Sequence, residues 1–287
     1  MLHRHRVRAP LVVVTILLAV GAAGLRSGGA APATAPTTSA VQNVFILHLP
    51  GIGGLMRIDR LLTGGLKSGG IGGDVKIYDW TAGNAGLAAL GATERNRQEA
   101  AKIARMIEER VRANPGERVI VTGHSGGSGL AVWALESLPD DVQIDTLVMI
   151  APALSPGYDL SRALRHVKGR AYSFNSEHDP VLGPGTRTFG TIDRIMTNAA
   201  GRVGFERPAG ADEQQYAKLV QIPYDRGFMV FGNIGDHIGA MMPRFAAKVI
   251  APLLLTGELP RPTTHPATAP APATAPTSRP VTIDLGP

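Results

Sequence analysis

Val119-Ile120-Val121-Thr122-Gly123-His124-Ser125-Gly126-Gly127 joins an apolar, β-branched run to a Gly-x-Ser-x-Gly pentapeptide, and then a helix-like stretch opens. A strand that turns abruptly into a helix at Ser125 forces a strained backbone. Gly123 and Gly127, two residues to either side, keep strand and helix from clashing. In a chain with 35 glycines the pentapeptide can arise by chance, so its flanks decide the reading. Upstream, Ala100, Ile103, Ala104, Ile107 and Val111 recur at helical spacing and stop at Asn114-Pro115-Gly116. Downstream, Leu130, Ala131, Trp133, Ala134 and Leu135 run without a breaker until Pro139. Helix, strand, sharp turn and helix together read as a nucleophile elbow, which lifts a serine oxygen clear of a sheet.

Around this elbow, short apolar runs alternate with helical patterns. The runs are Val44 to Leu49, Val75 to Tyr78, Val119 to Thr122, Leu147 to Ile150, Ala171 to Phe174 and Gly227 to Phe231. Helices are predicted over Thr93 to Arg112, Gly126 to Leu138 and Leu160 to His166. The alternation predicts an α/β fold, a mainly parallel sheet of about six strands with helices on both faces. Right-handed crossovers bring the carboxyl ends of such strands to one edge, where a site is expected.

The ends of the chain read differently. Residues 1–40 combine a basic start (Arg4, Arg6, Arg8), an apolar run from Leu11 to about Ala23, small residues at Val20-Gly21-Ala22-Ala23, and a Pro/Ala/Thr linker. That pattern predicts a signal peptide and export to a periplasmic or extracellular space, or a membrane anchor if the segment stays uncleaved. Residues 258–287 read as a disordered Pro/Ala/Thr-rich tail. One domain is expected over 41–257. A hydrophobic content of 44% supplies a core, while 5% aromatic residues and a net charge of +6, partly carried by the N-terminal arginines, argue against a nucleic-acid partner. The absence of cysteine excludes disulfides.

A serine hydroxyl needs a base to remove its proton, and the base needs a carboxylate to hold its tautomer. His237 lies in the Gly-flanked loop Asn233-Ile234-Gly235-Asp236-His237-Ile238-Gly239, directly after the last apolar run, and is the expected base. Asn175-Ser176-Glu177-His178-Asp179-Pro180 supplies the acid, with Asp179 preferred and Glu177 still open. Charge that develops on a carbonyl oxygen needs two backbone donors. Gly126 N–H, after the serine, is one; Ile52 N–H, or that of Gly53, in His48-Leu49-Pro50-Gly51-Ile52-Gly53-Gly54 is the other.

On Pro50 to Gly54, the Gly123 to Gly127 elbow, Asp179 and Gly235-Asp236-His237, the chain resembles the α/β-hydrolase superfamily, lipase and esterase type, over about Val41 to Leu255. The resemblance implies an acyl-enzyme on Ser125, with Asp179 and His237 completing the triad, no metal or organic cofactor, and a small-molecule or lipid-like acyl substrate. The family's opening antiparallel strands have no room before Val44, and its usual lid is missing after Ile150. Residues between Asp179 and His237 hold extra material, with 182–205 expected to wall an acyl pocket. A carboxylic ester is the leading substrate. The same triad serves a thioesterase, amidase or peptidase, and the fold could also be a noncatalytic module tethered to the membrane or cell envelope. Other readings fail: Met56 stands where a dinucleotide fingerprint needs its third glycine, and neither Ser-x-x-Lys nor His-Glu-x-x-His occurs.

Overall fold

The computed structural model describes residues 43–260. The export segment, both Pro/Ala/Thr tracts and their proposed roles lie outside the described residues. Six strands, β1 (Val44–Leu49), β2 (Asp74–Ile77), β3 (Arg118–His124), β4 (Thr146–Ile150), β5 (Ala171–Asn175) and β6 (Leu219–Pro223), form one sheet in the order β2-β1-β3-β4-β5-β6. Every strand pair is parallel, so no opening antiparallel pair is present among the described residues.

The central strands are buried along their whole length because helices cover both faces. Phe45, Leu47, Val119 and Val121 pack with Ile103 and Ile107 of α3 (Thr93–Ala113), Leu130 and Trp133 of α4 (Gly126–Glu136) and Leu164 of α5 (Ser161–Arg165). On the other face Val44, Ile46, Ile120 and Val148 pack with Leu62 and Leu66 of α1 (Arg57–Ser68) and with Phe245, Val249 and Leu253 of the helical segment 243–256. A short helix, α2 (Leu87–Gly91), precedes α3. Alternate residues of each strand thus feed two separate cores.

The sixth strand is not Gly227 to Phe231. That stretch is a 3-10 helix, Arg226–Phe231, in which Phe228 is buried while Met229 and Val230 are exposed. The strand is Leu219–Pro223, interrupted by a glutamine and ended by a proline. As an edge strand it buries only Ile222 completely, so it lacks the continuous apolar run that marks β1, β3 and β4.

Candidate active site

Parallel strands deliver β1, β3 and β5 to the same edge, and the chemistry-bearing residues follow their carboxyl ends. Ser125 takes φ 53° and ψ −121° between β3 and α4. A non-glycine residue in such a conformation costs on the order of 1–3 kcal/mol and persists only where its surroundings fix it. Here Ser125 N–H donates to Ile150 O at 2.9 Å, and its carbonyl accepts from Ser128 N and Ala153 N, both at 3.1 Å. A β-carbon on residue 123 would stand 2.6 Å from Gly127 O and Ser128 N, so the turn itself requires glycine there. On residue 127 it would overlap the carbonyls of Leu49 and Pro50. That second glycine lets the end of β1 approach, rather than separating strand from helix.

The loop after β1 crosses over the start of α4. Ile52 Cγ2 fills the space a β-carbon at residue 126 would occupy. Gly54 N–H closes a turn onto Gly51 O at 3.0 Å, Trp80 Nε1–H donates to Pro50 O at 2.7 Å and Gly86 N–H to Ile52 O at 2.6 Å. These bonds use the loop's carbonyls and leave the N–H groups of Ile52 and Gly53 without a partner among the described residues.

Asp179 and His237, 58 positions apart in the chain, meet at 2.7 Å through Asp179 Oδ2 and His237 Nδ1. Oδ1 accepts from Val181 N at 2.8 Å and Leu182 N at 3.0 Å. Burial raises the Asp179 pKa, but the His237 hydrogen bond, its charge and these two backbone donors outweigh it and hold the carboxyl below its ordinary range. Glu177 is exposed and makes no hydrogen bond to His237. The loop of His237 is fixed from three sides: Asn233 Oδ1 accepts from Gly235 N, Ser176 Oγ–H donates to Gly235 O, and His124 Nε2–H donates to His237 O at 3.0 Å. With Nδ1–H given to Asp179, Nε2 is the nitrogen left to act as a base. No hydrogen bond joins Ser125 Oγ to His237 among the described residues.

Ser125 also lines an apolar cavity of about 100 Å³ with Ile52, Leu90, Ala153, Leu182 and Thr186, rimmed by Leu87, Val181 and Phe189. The segment expected to wall a pocket therefore does so through residues 182–190.

One polar cluster escapes a sequence reading. His48 of β1 is fully buried, with Nε2 2.9 Å from Asp59 Oδ1 on α1 and Nδ1 2.7 Å from Thr122 Oγ1 on β3. Asp59 Oδ2 also accepts from Met56 N at 2.7 Å. His48 and Thr122 stand directly opposite in the β1–β3 register, so the cluster ties two strands to α1 immediately before the Pro50 to Gly54 loop. Only knowledge of the strand register would have paired them.

Residues 77–187, which contain Ser125 and Asp179, match the family described as Alpha/beta hydrolase. No curated protein matches the sequence. Among solved structures the chain is similar to Aspergillus fumigatus lipase B (14% identity, 79% of this chain and 56% of that one, TM-score 0.47). It is also similar to Est1E from Butyrivibrio proteoclasticus (11%, 77% and 90%, 0.44) and to a cutinase-like protein from Cryptococcus sp. (12%, 75% and 95%, 0.40). The chain spans little more than half the length of the lipase. The all-parallel sheet with helices on both faces, and the matched segment around the elbow, give the chain a fold consistent with an α/β hydrolase.

Proposed function

We propose that the protein is an exported serine hydrolase that cleaves carboxylic esters of short acyl chains. Ser125 is the nucleophile, His237 the general base, Asp179 the carboxylate that orients it, and the N–H groups of Ile52 and Gly126 receive the oxyanion. The supporting observation is Ser125 itself, held at φ 53° on the wall of an apolar cavity. A folding domain gains nothing from that strain, whereas a nucleophile needs the placement clear of the sheet that it gives.

In this mechanism His237 Nε2 takes the Ser125 proton as Oγ attacks the acyl carbon. Asp179 stabilises the imidazolium that forms. The tetrahedral intermediate collapses, the alcohol leaves with the proton from His237, and a water activated by the same nitrogen releases the acid. Substrate binding brings Oγ and Nε2 into line, as is common where the free enzyme lacks that bond. A cavity of about 100 Å³, equal to roughly three waters' share of liquid volume, favours a short acyl group. Export is supported by the basic start and apolar run of residues 1–40.

Labelling with a fluorophosphonate, wild type against Ser125→Ala, followed by turnover of p-nitrophenyl esters of increasing length, tests the reading. Modification confined to Ser125 and fastest turnover of the shortest esters is expected. A folded wild type that takes no label refutes the enzyme and leaves a binding module. Mass spectrometry of the mature N-terminus tests export.

A further inference from the structure

A second cavity, of about 680 Å³, lies at the β6 edge of the sheet and shares no residue with the cavity at Ser125. Its walls are mostly apolar: Tyr172, Val220, Ile222, Phe228, Leu253 and Leu259. Tyr172, Val220 and Ile222 belong to the face packed against α1 and the helical segment 243–256. The groove is therefore a stretch of that face which no helix covers among the described residues.

Among the described residues nothing pairs with the outer edge of the strand beside it. Lys218 O accepts from Ala171 N, and Tyr224 N donates to Asn175 O, so residues 218, 220, 222 and 224 turn their main chain toward β5. Residues 219, 221 and 223 turn theirs away. Pro223 has no N–H, which leaves Leu219 and Gln221 as the outward donors. A bare edge next to an apolar groove is a template for another strand.

Pro260 lies in the wall of this groove. Arg261 to Pro280 contains no large apolar residue, and then Val281-Thr282-Ile283-Asp284-Leu285 alternates apolar and polar residues at strand period, closed by Gly286-Pro287. We propose that Val281 to Leu285 of the same chain adds to the free edge of β6 as a further strand, with Val281, Ile283 and Leu285 seated in the groove. Twenty residues, Arg261 to Pro280, separate Pro260 from Val281, enough chain to reach any point along the groove. Pro260 lies in the groove wall, so the segment competes for the edge intramolecularly. A partner in solution must be abundant or tight to compete with it.

Residue-resolved hydrogen exchange on the full chain tests this, comparing wild type with Val281→Ser/Ile283→Ser/Leu285→Ser at several protein concentrations. The outward amides of Leu219 and Gln221 should exchange at least tenfold more slowly in wild type, independently of concentration, while amides of β3 exchange alike in both. Equal rates at Leu219 and Gln221 overturn the proposal. Protection that grows with protein concentration also overturns it, because the strand then comes from a second copy. The substitutions leave every residue around Ser125 in place, so fluorophosphonate labelling reports on the proposed activity separately.

Discussion

His124 Nε2–H donates to the main-chain carbonyl of His237 at 3.0 Å, and the two rings stand 4.8 Å apart. The residue just before the elbow serine thus anchors the loop that carries the imidazole. A carbonyl can only accept, so His124 holds its proton on Nε2. Its Nδ1 is buried facing Gly51 and has no hydrogen-bond partner among the described residues.

That arrangement makes stability pH-dependent. Burial first, then the charge of His237, lowers the His124 pKa to about 3; the His237 carbonyl and Asp59 act the other way, and His48 adds to the lowering. The unfolded chain binds a proton at His124 below about pH 6.5. The folded protein does not until about pH 3. Stability should therefore fall as pH drops through that window, by about 1.4 kcal/mol per unit at most. His124→Gln removes the titrating group and should flatten the slope between pH 6.5 and 4.5. Urea midpoints of both proteins at each pH measure it, and identical slopes would place the acid sensitivity elsewhere.

Asp179→Asn should lower kcat by about a thousandfold or more, because the amide cannot stabilise an imidazolium at His237 and favours the wrong tautomer. Glu177→Gln, at an exposed position without a bond to His237, should change kcat less than about threefold. Steady-state kinetics on one short ester separates them, and the reverse ranking would move the acid to Glu177.

How far the sequence carries depends on burial. β1, β3, β4 and β5 are legible because strands buried on both faces read as nearly continuous apolar runs, as in Val119 to Val121 and Leu147 to Ile150. β6 is hidden because it is the last strand of the described sheet and buries little beyond Ile222, so Gln221 and Pro223 are tolerated within it, while Phe228-Met229-Val230-Phe231 imitates a strand with only Phe228 buried. The position of Ser125 could be read from local chemistry, since the elbow demands glycine nearby. The choice between Asp179 and Glu177 depends on which side chain turns inward after β5, and the His48–Asp59–Thr122 cluster depends on strand register. Neither is a local property of the chain.

Trp80 bears on the proposed oxyanion loop. It is fully buried and its indole N–H satisfies Pro50 O at 2.7 Å. Trp80→Phe leaves that carbonyl unpaired, at about 1–3 kcal/mol, in addition to the volume lost. Tm should fall by several degrees. If the loop positions the Ile52 amide, kcat should drop about tenfold with KM nearly unchanged, since the donor acts on the transition state. A lower Tm with unaltered kcat would show that Trp80 serves only the core.

Phe189 tests the acyl pocket with little risk to the fold. It rims the cavity at Ser125 and is 48% exposed, so Phe189→Ala should alter stability by less than about 0.5 kcal/mol. The floor of the cavity, formed by Ala153, Leu182 and Thr186, is untouched, while the rim beside Gly190 opens. A longer acyl chain that must leave the cavity then meets less obstruction. The ratio of kcat/KM for an eight-carbon ester to that for a two-carbon ester should rise about tenfold, the scale set by one or two methylenes in an apolar site. A ratio that does not move would mean that the acyl chain leaves Ser125 by a route that does not pass Phe189.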